Sequence, residues 1–225
     1  MTAERNKRET LTHHTMAAVG GFFGVYAIML RGGNSGSAAT GNLINLAVAG
    51  LDGSVGELLI RLGVLACYTV GIVTATLTRY RCRRQGRDFR LWAAAIDALL
   101  CPVLALIPET VDPLVALYPM FFATAFHWMA YYLAAGFNAS TIFSTNNLRQ
   151  FAEGLTEYLL TRDSAHLRRA RFYGGTLLWF HAGVAIGWGS VRLWGIPGIY
   201  ACLPLVAAGL AATLWEDRLP AAKAA

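Results

Sequence analysis

A short polar pattern occurs twice in this apolar sequence, as Thr40-Gly41-Asn42 and as Thr145-Asn146-Asn147. Threonine hydroxyls and asparagine amides are neutral donors and acceptors, so they can replace part of the hydration shell of a small solute. If each pattern opens a helix, the free N–H groups and the positive end of the helix dipole could attract an anion or a carboxylate. The alternative is that these side chains only cap their helices. We predict a substrate-binding role for Thr40, Asn42, Thr145 and Asn147.

Ionisable side chains inside apolar stretches are the second chemical signal. A charge at the middle of a bilayer costs at least ~3 kcal/mol, so Asp97, His127 and His181 are each expected to face the interior of a helical bundle. Asp97 could pair with a histidine or arginine of another helix, or relay a proton. Each histidine is either a neutral, hydrogen-bonded imidazole or a proton-coupled group, because histidine titrates in the physiological range. We predict that all three belong to the substrate site, and that Arg61 either pairs with Glu57 one turn away or snorkels to the membrane interface.

The composition identifies the class of protein that must position these groups. Of the 225 residues, 56% are hydrophobic and only 14% are charged, whereas a soluble domain carries roughly a quarter charged residues. A spanning helix needs roughly 20 apolar residues. We predict six spans, at 16–30, 58–77, 91–107, 114–135, 172–188 and 193–214. The segments 34–51 and 138–160 are too polar to face lipid and too apolar for plain loops, so we predict that they are broken or re-entrant.

The arginines predict the orientation. The connection 79–90 holds six arginines against one acid, and 162–171 holds four arginines, whereas 108–113 holds two acids and no base. Because short basic loops stay in the cytoplasm, both clusters and both termini are expected there. The net charge of +6 then reflects topology, with binding of anionic lipid headgroups as a by-product. Residues 1–15 and 215–225 become cytoplasmic segments on either side of one membrane domain, 16–214, with no cleaved signal peptide.

An internal repeat is the most informative property of the sequence. Three features of the first half recur in order in the second half, at offsets of 105, 112 and 102 residues. The recurring features are Thr40-Gly41-Asn42-Leu43 at Thr145-Asn146-Asn147-Leu148, Gly63, Tyr68 and Gly71 at Gly175, Phe180 and Gly183, and Arg90-Leu91-Trp92 at Arg192-Leu193-Trp194. Each copy holds three spans, so the second copy must enter the membrane from the opposite side. We predict an all-α, six-span, 3+3 inverted-topology repeat, with copies at about 16–108 and 114–214 and two re-entrant segments.

These motifs resemble the YoaK family, domain-of-unknown-function family 1275, of small bacterial inner-membrane proteins. The resemblance covers about residues 16–214. It rests on Gly20-Gly21 through Tyr26, Arg31-Gly32-Gly33, Thr40-Gly41-Asn42-Leu43, Phe122 through Tyr131, Ser144 through Arg149, Tyr173, and Phe180-x-x-Gly183-x-x-x-Gly187. The chain departs from the family pattern at Gly24, where the family has an acid, and at His127, where it has glutamine, and also at Ser35, Ser37 and Asn146. The resemblance implies the architecture and an inner-membrane location, but no particular substrate.

Together these observations predict a transporter or channel for a small solute, with a central site between the repeats. The alternative is a non-transporting scaffold that binds lipid or a protein partner and whose polar motifs only hold helices together. We expect no enzymatic activity, because Ser35 lies beside the first span, far upstream of where an intramembrane serine protease places its serine, and the glycine spacing after His181 also differs. Four cysteines without a Cys-x-x-Cys pair predict neither a disulfide framework nor a zinc site, and no metal or cofactor is expected. The expected partners are membrane lipids and a small molecule or ion, not nucleic acid, and a homo-oligomer is left open.

Overall fold

The computed structural model describes residues 2–37 and 39–217, and within them the fold is all-helical, as predicted. Short 3-10 helices cover Val115–Leu117 and Ile196–Cys202. Two-residue strands, Leu133–Ala134 and Phe137–Asn138, pair as an antiparallel hairpin. The described α-helices and strands are α1 (Thr2–Leu30), α2 (Ala39–Leu51), α3 (Val55–Arg84), α4 (Arg90–Ala105), α5 (Tyr118–Tyr131), β1 (Leu133–Ala134), β2 (Phe137–Asn138), α6 (Thr145–Thr161), α7 (Ser164–Trp194) and α8 (Leu203–Asp217).

In the described part of the chain, three helical segments are long and apolar enough to cross a membrane, namely Ala3–Leu30, Val55–Arg84 and Ile196–Glu216. The outer surface of the protein is correspondingly apolar. Along α3, for example, the side chains of Leu59 and Val70 are each more than half exposed. A continuous apolar surface is unfavourable in water, whereas helices with all their backbone hydrogen bonds made internally are stable in lipid. These features fit an integral membrane protein.

Each of the six predicted apolar stretches overlaps a helix, but α1 and α7 extend well beyond theirs. Helix α1 begins at Thr2, where the ion pairs Arg5–Glu9 (2.7 Å) and Glu4–Arg8 (3.1 Å) join successive turns. Helix α7 begins at Ser164, where the Asp163 carboxylate caps it by accepting from the Ala165 N–H at 2.8 Å. Polar residues therefore continue both helices, and the apolar stretch marks only the apolar part of each.

One set of helix ends is held together by side chain to backbone contacts and an ion pair. The starts of α1, α4 and α7 meet the ends of α3, α5 and α8 at this end. The contacts join Arg8 to the Trp215 carbonyl, His13 to the Tyr131 carbonyl, His14 to the Phe172 carbonyl, Arg79 to the Met129 carbonyl, and Arg90 to the Glu216 carboxylate. Both arginine-rich connections, 79–90 and 162–171, lie here, and we call it the arginine end.

The opposite end, which we call the far end, is fixed in the same way. Arg31, after the end of α1, donates to the carbonyls of Ile107 and Pro108 at 2.8 and 3.1 Å, beyond the end of α4. Near the same end Tyr26 donates to the Ile196 carbonyl at 3.2 Å, and Tyr118 donates to the Ile60 carbonyl at 2.7 Å. Helices α1, α4 and α7 therefore run from the arginine end to the far end, and α3, α5 and α8 run back.

Glycines set how closely the main helix pairs approach. Helix α1 packs mainly on α7 and α8, and α5 packs mainly on α3 and α4. At the α1–α7 crossing a Cβ on Gly183 would overlap the Ala18 carbonyl, and at the α3–α5 crossing a Cβ on Gly71 would overlap the Phe122 carbonyl. Only glycine lets two helix backbones touch in this way, as small residues do at other membrane helix interfaces.

Two irregular segments reach the middle of the bundle. The segment before α2 presents the Gly36 carbonyl to α5, where it accepts a hydrogen bond from Thr124 Oγ1 at 3.0 Å. The segment before α6 brings the Thr141 carbonyl against Gly20 of α1. Thr124 and Gly20 both lie near the centres of the apolar parts of their helices. Non-helical backbone at that depth is tolerated where protein surrounds it, and both segments contain buried residues.

The glycine contact predicts a sharp positional effect within α7. Gly183→Ala should lower the free energy of unfolding by about 1–3 kcal/mol, because the new methyl group must push α1 away. Unfolding in detergent, followed by circular dichroism, measures the change. Gly189→Ala on the same helix is the matched control, since a Cβ there has no atom within 4 Å and alanine favours helix. Equal effects of the two substitutions would contradict the packing described here.

Candidate functional site

The most distinctive polar contact in the interior joins Asp97 of α4 to His127 of α5. Asp97 Oδ2 and His127 Nδ1 are 2.6 Å apart, and both side chains are 0% exposed. Their other polar atoms, Asp97 Oδ1 and His127 Nε2, have no hydrogen-bond partner among the described residues. The packing of α4 on α5 brings the two residues together. The sequence-based prediction that Asp97 could pair with a histidine of another helix therefore agrees with the structure.

This contact contains a shared proton. At 2.6 Å a proton lies between the two atoms, carried either by the imidazole or by the carboxyl group. The pair has no net charge when it holds two protons in all, and a charge of −1 when it holds one. The hydrogen bond between the two side chains is compatible with either proton count.

A second buried histidine lies close by, on α1. His13 Nδ1 is 2.8 Å from the Tyr131 carbonyl oxygen, and since a carbonyl only accepts, Nδ1 carries the proton. His13 Nε2 is then an acceptor, and it has no partner in the described part of the chain. The rings of His127 and Tyr131 lie 5.0 Å apart, so Tyr131 contacts both histidines. Sequence reasoning missed His13, because it falls in the polar segment before the first apolar stretch.

A cavity of about 440 Å³ at the arginine end leads down to His13 and Tyr131. We call it the vestibule, and its rim carries Arg5, Glu9, Arg90 and Glu216. Glu9 accepts from the Arg5 guanidinium and from the Ala135 N–H, each at 2.7 Å. The rim is therefore lined by paired charges of both signs, which suits a polar or zwitterionic molecule better than an apolar one.

Arg90 holds the vestibule rim together. Its guanidinium lies 2.7 Å from Asp88 and 2.6 Å from Glu216 of α8. Burial alone would lower the pKa of this guanidinium, but the hydrogen bonds and charges of the two carboxylates outweigh burial and raise the pKa above its ordinary value. Arg90 therefore stays positively charged under all ordinary conditions.

The two Thr-x-Asn patterns lie at helix starts, as predicted, but they do not converge on the Asp97–His127 pair. Asn147 is buried, where its amide donates to the carbonyls of Ser140 (2.6 Å) and Phe143 (3.1 Å) and holds the irregular segment before α6. Asn42 Oδ1 accepts from Arg61 at 3.2 Å, and Arg61 also pairs with Glu57 at 2.6 Å, as predicted.

The remaining predicted site residues lie on the surface. Thr40 and Thr145 are exposed, and so is His181, whose Nδ1 bonds the Leu177 carbonyl of its own helix at 2.8 Å. Of the seven residues predicted for the site, the structure brings together only Asp97 and His127. No described group of three or more His, Cys, Asp or Glu side chains could hold a metal ion.

Comparison with known proteins identifies the family. The family model described as "Protein of unknown function (DUF1275)" matches residues 13–215. The chain belongs to the DUF1275 family. No curated protein and no solved structure matches the chain. The resemblance stated from the sequence is thereby confirmed, and the matched range includes His13, Asp97 and His127.

A double-mutant cycle tests the coupling in this DUF1275 protein. Asp97→Ala and His127→Ala should each lower the free energy of unfolding by about 3–5 kcal/mol, because each leaves the other group buried without its partner. The double variant should lose at least about 0.5 kcal/mol less free energy of unfolding than the sum of the two single losses. Denaturation by sodium dodecyl sulfate, followed by tryptophan fluorescence, gives the three values.

Asp97→Ala combined with the exposed His181→Ala is the matched control and should be additive within about 0.5 kcal/mol. Additivity of the Asp97–His127 cycle would show that the contact contributes nothing.

A second pair of substitutions distinguishes the structural roles of the neighbouring residues Asn146 and Asn147. Asn147→Ala removes three hydrogen bonds to the segment before α6 and should destabilise the protein by about 1–3 kcal/mol. Asn146→Ala removes only a contact with Arg149 at the exposed surface and should change stability by less than about 0.5 kcal/mol. Thermal unfolding in detergent compares them. An Asn147→Ala variant as stable as the Asn146→Ala variant would refute the structural role of Asn147.

Proposed function

We propose that this DUF1275 protein is a six-span membrane protein built as a 3+3 inverted-topology repeat. The alternating directions of the six helices that overlap the predicted apolar stretches support it, and so do the contacts between the halves. Gly63 of α3 lies against Tyr118 of α5, and Gly175 of α7 lies against His14 of α1. The two glycines differ by 112 positions and the two aromatic residues by 104. The same pair of shifts along the sequence, 112 positions for the glycine and 104 for the residue that it contacts, therefore relates the α3–α5 contact to the α1–α7 contact.

Further contacts obey the same equivalence. The close approaches at Gly71 with Phe122 and at Gly183 with Ala18 differ by the same 112 and 104 positions. In the irregular segments, Gly36 and Thr141 differ by 105 positions, and their neighbours Gly20 and Thr124 differ by 104. The shift of 104 positions makes α5 the counterpart of α1. Because these two helices run in opposite directions, the second half is inverted relative to the first. A duplicated and inverted half explains all of these correspondences together.

We infer further that the protein transports a small polar solute, coupled to a proton. The observation that carries this inference is the buried Asp97–His127 pair next to the floor of a polar vestibule. Two ionisable side chains inside an apolar bundle are expensive, and in membrane proteins they mark substrate or proton pathways. The vestibule supplies an entrance, His13 lies at its floor, and the pair supplies a proton that can be exchanged.

The arginine clusters orient the proposed transporter. Basic loops are retained in the cytoplasm, so the arginine end, with the start of α1, the end of α8 and the mouth of the vestibule, faces the cytoplasm in a bacterial inner membrane. Catalysis forms no part of the proposal. The Ser35 hydroxyl bonds Ser37 at 3.2 Å, while His181 lies exposed on α7, so the two residues form no nucleophile and base pair.

Proteoliposomes that contain a trapped pH-sensitive dye test transport and coupling together. Addition of solutes from a panel of amino acids, small amides and small anions should give, for the transported class, a saturable internal pH change. Asp97→Asn and His127→Gln keep the side-chain shapes but alter the shared proton, and each should reduce the pH change at least tenfold. His181→Gln is the matched control, because it changes the same residue type at an exposed position, and it should leave the signal within about twofold.

Two outcomes would contradict this proposal. A solute-dependent pH change that survives Asp97→Asn would remove the pair from the pathway. The absence of any response across the panel, with the folded protein verified by circular dichroism, would favour the non-transporting scaffold. In that alternative the pair only joins α4 to α5, and its replacement changes stability alone.

A further inference from the structure

A second cavity, of about 400 Å³, lies at the arginine end. The α1 residues that line it, Asn6, Lys7 and Thr10, are different from those that line the vestibule. Its walls come from the first turns of α1, from the β-hairpin and from the first turns of α7. Polar side chains of Asn6, Thr10 and Ser164 line it beside Phe137 and Phe172. We call it the basic cavity, because its three charged lining residues are Lys7, Arg168 and Arg171.

The charge of the basic cavity is not neutralised by the described residues. None of its lining residues is acidic, and none of its three cations forms an ion pair in the described part of the chain. Arg169, the neighbour of Arg168, is different, because it turns to α6 and bonds Gln150, Glu153 and Glu157 at 2.6–2.9 Å. A topology signal requires only that the arginines of 162–171 be present. It does not require that Arg169 be paired with acids while, within the described residues, Arg168 and Arg171 are not.

Aromatic rings form one side of the basic cavity. The rings of Phe137 and Phe172 stack with centroids 4.8 Å apart, and the Arg168 guanidinium lies 5.7 Å from the centroid of Phe137. A guanidinium over an aromatic face is restrained in orientation while its outer N–H groups stay free to donate. The cavity thus combines oriented donors with an apolar wall.

The position along the helices matches the headgroup layer of a membrane. Arg171 directly precedes the apolar part of α7, and Lys7 precedes that of α1 by nine residues, or about 13 Å of helix. The polar layer on each side of a bilayer is roughly 5–8 Å thick. The cavity therefore extends from this layer into the adjacent water.

We propose that the basic cavity binds the phosphate group of a phosphate ester, with an anionic phospholipid as the source that the geometry favours. Two arginines and a lysine provide forked and point donors for phosphate oxygens, and the phenylalanines accommodate the first carbons of an acyl or glyceryl chain. A carboxylate offers fewer oxygens and less charge to the same three cations. This inference does not depend on transport, and it holds for the scaffold alternative as well.

Binding to the purified full-length protein in neutral detergent tests the site. The probes are dioleoyl-phosphatidylglycerol, dioleoyl-phosphatidylcholine, glycerol 3-phosphate and inorganic phosphate, and the readout is the shift in thermal unfolding midpoint with probe concentration. Phosphatidylglycerol should give a saturable rise. The triple variant Lys7→Gln, Arg168→Gln, Arg171→Gln should raise its half-saturating concentration at least tenfold.

The matched control removes the same charge elsewhere at the arginine end. Arg81→Gln, Arg83→Gln, Arg87→Gln changes three exposed arginines of the α3–α4 connection and should alter half-saturation by less than twofold. Lys7→Glu alone, at an exposed position of α1, provides an independent variant if the triple variant folds poorly, and it should weaken binding at least threefold.

The outcomes distinguish the sources of the phosphate. A shift with phosphatidylglycerol that glycerol 3-phosphate does not compete away identifies a lipid site. A shift with glycerol 3-phosphate or inorganic phosphate that is lost in the triple variant identifies a soluble phosphate ester. Equal losses in the two triple variants would show only general surface attraction, and that result, or the absence of a shift with every phosphate probe, would overturn the proposal.

Discussion

Helix α1 packs against α7, and α3 against α5, at glycines whose missing side chains let the helix backbones touch. In lipid no hydrophobic force drives helices together, so association depends on close van der Waals contact, which Gly183 and Gly71 provide. The close approach also leaves no room for water between the paired helices. Polar groups of the interior therefore depend on other segments for their hydrogen bonds, as the Gly36 carbonyl depends on Thr124.

The Asp97–His127 contact is a product of the same confinement. In a tightly packed apolar bundle, neither group has access to water, so each must find its partner on the neighbouring helix. A buried pair of ionisable groups is weak as a source of stability, because desolvation offsets much of the attraction. Its position is more informative than its strength, because Tyr131, which contacts the His127 ring, also lines the vestibule.

The sequence predicts the helices better than it predicts the site. Each predicted apolar stretch coincides with part of a helix, because a helix surrounded by apolar groups needs uniformly apolar residues. That same uniformity hides which face points inward, since α7 has almost no amphipathic character. His181 therefore could not be distinguished from His127 by its surroundings in the sequence, although one is exposed and the other is buried.

Residue type alone led to the prediction of Thr40 and Thr145. The direction of each side chain is set by the turn before its helix, and the geometry of that turn depends on contacts with distant helices. His13 gave no signal because polar residues surround it along the chain.

The pairing of α1 with α7 and of α3 with α5 has a consequence for biogenesis. In each case a helix finds its largest partner in the other half of the chain, so neither half contains a complete core. During synthesis α1 enters the membrane first, and its glycine face stays without a partner until α7 follows. Assembly is therefore late and dominated by contacts distant in sequence, which slows folding. Under the proposed inverted repeat, two separate copies of one half, inserted in opposite orientations, would satisfy the same contacts, and a dual-topology homodimer would be the simplest ancestor.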